Sequence, residues 1–134
     1  MAYNGNECDL MGYQKEDMIP AFVRKFPQGW DVKTQMEWLE RAIIIYSIWY
    51  YELGNSPILD QQYDTESIQL YTLMKEHPKE FKETHYAYAF FDFDASTGFH
   101  LKSRLVKKDL KRITQIANFI YYKAHGKFEK KGKR

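Results

Sequence analysis

Apolar residues along this chain recur mainly at steps of three and four, and four segments carry that helical period. Residues 16–26 place Met18, Ile19, Phe22, Val23 and Phe26 on one face, with Pro20 compatible only with a first helical turn. A second helix is expected from Thr34, because Thr34 and Glu37 have the spacing of a capping box, in which hydroxyl and carboxylate accept from free backbone N–H groups. Met36, Leu39, Ile43, Tyr46 and Tyr50 then form one stripe, and Ala42, Ile45, Trp49 and Leu53 an adjacent one. A helix apolar over so much of its circumference belongs at the centre of the fold. Gly54 and Pro57 interrupt the pattern and predict a tight reversal. Asp60 stands at the N-cap position of a third helix running to about His77, with Tyr63, Leu70 and Met74 inward and Pro78 closing it. The second and third helices therefore make an αα-hairpin. A fourth helix starts near Ser103, aligns Val106, Leu110, Ile113, Ala117 and Ile120, and ends at Gly126.

Between the third and fourth helices, Tyr86, Tyr88 and Phe90 alternate with Ala87 and Ala89, and residues 96–98 offer a turn. Such alternation suits a small β-hairpin near residues 86–101, and a packed irregular loop fits equally. The expected fold is mainly α: a compact four-helix domain over residues 1–126, followed by a basic flexible tail, 127–134.

Composition narrows the picture. A chain of 134 residues fits one domain, and an aromatic share of 17% supplies large rings for a firm core and for recognition surfaces. Cys8 is the single cysteine, which excludes an intrachain disulfide and a cysteine-cluster zinc site and points to a reducing, cytoplasmic setting. His77, His85, His100 and His125 lack metal-ligand spacing with carboxylates, so no metal is expected. Residues 42–51, the most apolar stretch, are about half the roughly 20 needed to cross a bilayer, and no membrane association is expected. Charge is polarised. Residues 1–101 carry 8 basic and 16 acidic side chains, whereas residues 102–134 carry 12 basic and 2 acidic.

The hairpin holds the most specific string: Tyr50 and Tyr51 at the end of one helix, Pro57 in the turn, then Asp60, Tyr63 and Asp64 in the pattern D-x-x-Y-D, with Glu76, His77 and Pro78 downstream. Over residues 49–81 this resembles the small N-terminal helical domain, called Ia, of NAD-dependent DNA ligases. In that family the domain grips the nicotinamide mononucleotide half of NAD during self-adenylylation. The resemblance implies matching ligand-binding roles for Tyr50, Tyr51, Asp60, Tyr63 and Asp64, with NAD or nicotinamide mononucleotide (NMN) as the ligand. Chemically these residue types suit it, since tyrosine faces attract a cationic nicotinamide ring and carboxylates can hold ribose hydroxyls. The Lys-x-Asp-Gly motif that carries the adenylyl group in the ligases is absent, so the chain is not expected to be an enzyme by itself.

Two further patterns carry chemistry. Asp92 and Asp94 follow an apolar run in a D-x-D-x-S/T arrangement similar to the opening of haloacid-dehalogenase-type phosphotransferases. Residues 95–134 are too few, and too helical in pattern, for the core that such enzymes need, which leaves loop capping to both carboxylates. Lys107, Lys108, Lys111 and Arg112 line the basic last helix and could touch nucleic acid. The expected function is a non-catalytic nicotinamide-nucleotide binding module. The alternatives are a small protein-interaction or inhibitor protein of the kind viruses encode, which keeps the scaffold without the ligand site, and a nucleic-acid-associated accessory protein.

Overall fold

The computed structural model describes residues 23–54, 58, 60–96 and 98–124. They form a mainly helical body with α-helices at Val32–Ile48 (α1), Asp60–Glu76 (α2), Pro78–Lys82 (α3), Leu101–Arg104 (α4) and Lys107–Ala124 (α5). A π-helical segment, Trp49–Leu53, extends α1, and a 3-10 turn spans Ala87–Ala89. No strand occurs among the described residues. The tail 127–134, Cys8, the turn residues 55–57 and the helix end at Gly126 lie outside them, as do residues 16–22 of the first expected helix; residues 23–26 of that helix are not helical.

α1 starts earlier than the capping-box reading requires. Asp31 is the N-cap, in extended geometry, and its side chain accepts from the Thr34 backbone N–H at 2.8 Å. Glu37 is thereby freed from the helix end and accepts instead from the His85 backbone N–H at 2.9 Å. The apolar circumference does what its pattern predicts. Residues 42–49 are all buried, and α1 packs against α2, α3, α4 and α5. A fully buried Ile or Leu contributes about 1.5–3 kcal/mol, so the helix richest in them takes the centre.

Two carboxylates are buried with α1. Glu66 of α2 accepts from the Tyr46 hydroxyl and from the Arg24 guanidinium, each at 2.8 Å, and from the Gln62 side-chain amide. Gln69 exchanges a pair of 2.9 Å bonds with the backbone of Arg24, which pins the segment before α1 to α2. Trp38 then receives the Arg24 guanidinium over its face at 4.5 Å and the edge of Phe26. Glu40 sits on the other side of α1 against Thr84 and the Tyr86 backbone N–H.

Pro78 closes α2, which ends at Glu76, and also opens α3 at its first position, where a missing N–H costs nothing. His77 separates the two helices and makes no side-chain cap bond. The β-hairpin near residues 86–101 is replaced by consecutive turns, with i→i+3 bonds onto Thr84, Tyr86, Ala87 and Phe90. Over residues 86–93 the buried positions are Tyr86, Ala89, Phe90 and Phe93, spaced by three, one and three as consecutive turns space them, and Ala95, Gly98 and Leu101 continue the buried side. The last helix is two helices, because Leu105 is extended (φ −72°, ψ 138°). The Tyr88 hydroxyl stabilises that break, accepting from the Val106 N–H at 3.1 Å and donating to Asp109 at 2.6 Å.

Candidate functional site

The end of α1 changes geometry where the sequence places its tyrosines. Trp49 turns inward, its Nε1 donating to the Ala117 carbonyl of α5 at 2.8 Å and its ring lying 5.6 Å from Tyr46. The wider π turn that follows carries Tyr50 and Tyr51 to the surface, 59% and 42% exposed. Such segments are common at functional sites because they re-aim side chains within a helix. Gly54, with φ 71°, ends the segment in the left-handed region that suits glycine.

Tyr51 is the hub of an aromatic cluster. It meets Tyr50 edge-on at 4.9 Å and Phe99 edge-on at 5.1 Å. Phe99 can reach it because Gly98 lies directly on the hairpin. A Cβ at position 98 would overlap Ser47 Oγ and stand 2.8 Å from the Tyr63 hydroxyl. Between these parts runs a groove of about 370 Å³, lined by Tyr51, Gly98, Phe99, Lys102, Leu105 and Leu110. An ion pair between Lys102 and Glu52 borders it. The volume falls within the range of about 300–1,000 Å³ typical of small-molecule sites.

The five residues singled out at the hairpin are distributed unequally. Tyr51 lines the groove. Tyr50 is beside it on the surface. Tyr63 lies beneath, its ring edge-on to Tyr46 at 6.2 Å and its hydroxyl against Ser47 and Gly98. Burial pushes the Tyr63 pKa up, against the opposing effect of the Ser47 hydroxyl. Asp60 is exposed in the first helical turn of α2, one residue inside the N-cap position expected for it. Asp64 follows one turn later, and its carboxyl is shifted up by burial and by the neighbouring Asp60. Neither aspartate lines the groove. Sequence reasoning missed Phe99, Gly98 and Lys102. Their only signal was an aromatic directly after a glycine, which reads equally well as a turn.

Lys107, Lys108, Lys111 and Arg112 are all exposed on the first turns of α5. Asp92 is held in a two-point bond to the Arg104 guanidinium at 2.6 and 3.1 Å, which keeps its carboxyl below the usual range. Asp94 caps its own turn by accepting from the Ser96 N–H at 2.9 Å. Asp94 thus caps its own loop as expected, whereas Asp92 is instead paired with Arg104 of α4. Among the described residues no cluster of His, Cys, Asp or Glu could hold a metal ion, and no helix is long and apolar enough to cross a membrane. The chain matches no known family model, no curated protein and no solved structure.

Proposed function

We propose that this chain is a non-catalytic binding module that takes a nicotinamide nucleotide, NMN or the NMN half of NAD, at the end of its helical hairpin. The observation that supports this reading is the groove beside Tyr51, in which two aromatic side chains meet edge-on next to a cation. A pyridinium ring is drawn to aromatic faces by their quadrupole, an attraction of about 0.5–2 kcal/mol that grows as water is excluded. Lys102 is positioned for the phosphate once it exchanges Glu52 for the ligand, and a charge-assisted bond to phosphate favours that exchange.

Calorimetric titration of the full chain with NMN, NAD and AMP tests the reading. NMN and NAD are expected to bind more tightly than AMP, which lacks the cationic ring, and Tyr51→Ala is expected to weaken NMN binding about tenfold with helicity unchanged. No heat with millimolar NMN overturns it. The exposed rings of Tyr50 and Phe99 would then favour the second reading, in which the same surface anchors a protein partner.

A further inference from the structure

The outer face of α5 is cationic for a structural reason that composition alone does not show. Asp109 is the sole acid on this helix, and it is withdrawn from the surface, 7% exposed, with its carboxylate 2.9 Å from His85 Nε2 and 2.6 Å from the Tyr88 hydroxyl that donates to it. Burial alone would raise its pKa; the bonds from Tyr88 and His85 outweigh that and hold it low, so it stays an inward-facing anion. Left outside are Lys107, Lys108, Lys111 and Arg112, all exposed, and none forms an ion pair among the described residues. Lys108 and Arg112 are one turn apart, as are Lys107 and Lys111, so the four form a single patch about 7.5 Å long along the axis.

The patch continues into an aromatic end. Going on in steps of three and four from Arg112 leads through Gln115 to Phe119, which is 63% exposed and has the Lys123 ammonium 5.7 Å from its ring centre. A large apolar ring held at the surface beside cations has no role in the core, which α5 reaches through Ile113 and Ala117. Cations that track phosphates, followed by an exposed ring on which a base can stack, are the two components of sequence-tolerant single-strand recognition.

We infer that α5 is a binding surface for single-stranded nucleic acid, with Lys107, Lys108, Lys111 and Arg112 on the phosphate backbone and Phe119 stacked on a base. This surface is separate from the hairpin groove, so its test is independent of the nucleotide reading. A fluorescently labelled 20-nucleotide single strand, titrated with the full chain and followed by anisotropy at several salt concentrations, measures it. Lys108→Glu combined with Arg112→Glu is expected to weaken binding at least tenfold and to reduce the slope of log affinity against log salt by about 1.4, two cations at about 0.7 each. Phe119→Ala is expected to weaken it at least fivefold without changing that slope. These positions are exposed, and unchanged helicity confirms that the variants fold. No binding at low salt, equal or tighter binding to a duplex of the same length, or binding confined to anionic phosphatidylserine vesicles each overturns the inference.

Discussion

Glu40 is fully buried, and the hydrogen bonds around it indicate its protonation state. Thr84 Oγ1 lies 2.7 Å from Glu40 Oε2 and 2.8 Å from the Phe81 carbonyl oxygen. A hydroxyl has one proton, and a carbonyl can only accept, so the contact to Glu40 is satisfied when the carboxyl itself carries the proton and donates it to Thr84. The Tyr86 N–H completes the set on Oε1 at 3.3 Å. Burial accordingly raises the Glu40 pKa from 4.5 to about 8, against the smaller opposing effect of the Tyr86 N–H. The unfolded chain gives up this proton first, so stability from Glu40 is complete below about pH 4.5 and is lost as pH rises to about 8. Glu40→Gln, which keeps a donor toward Thr84, is expected to flatten the pH dependence and to exceed the native chain in stability at pH 8–9 by a few kcal/mol, on the order of 1.4 kcal/mol per pKa unit. Denaturant midpoints across this range check it. Nothing in the sequence marks Glu40, since its partners are more than 40 positions away in the chain.

At the scale of elements, periodicity was a sound guide wherever one helix face meets one core. The stripes over α1 from Met36 to Trp49, the inward Leu70 of α2, and Ile113 and Ala117 of α5 are buried as their spacing implies, whereas Tyr50, Val106 and Ile120, which the same spacing placed on apolar faces, are exposed. Boundaries were less legible, because competing caps have similar local signatures. Asp31 and Thr34 both resemble N-caps, and the difference is made by Glu37, whose carboxylate is claimed by the His85 backbone. Asp31→Ala is therefore expected to lower the thermal midpoint while Asp31→Asn largely preserves it, read by circular dichroism. The segment 84–100 was least legible. Its shape depends on distant groups: Glu40 and Glu37 hold its start, Tyr88 reaches α5, and Gly98 settles onto Ser47 and Tyr63. Gly98→Ala inserts a methyl where no space exists, and a loss of about 1–3 kcal/mol is expected in chemical denaturation. The same substitution is expected to displace Phe99 from Tyr51 and to weaken the proposed nucleotide binding.

Across the whole molecule, a central apolar helix is sleeved by α2 on one side and by α4 and α5 on another, and the groove forms where the hairpin end meets the start of α4. The resemblance in the sequence drew attention to the end of the hairpin beside which the groove runs and to Tyr51, which lines it. It did not reveal Phe99 or Lys102, because a groove wall supplied by a segment almost 50 positions away leaves no trace in local spacing. The charge polarity of the chain was evident from counting, yet its clean cationic face depends on Asp109 turning inward, which only the packing discloses. Nitrogen-15 resolved magnetic resonance of the full chain during an NMN titration tests the account most directly. It predicts saturable shifts concentrated at Tyr51, Glu52, Gly98, Phe99 and Lys102, with α5 beyond Leu110 unmoved. An absence of shifts at millimolar NMN, or shifts confined to the basic helix, would contradict it.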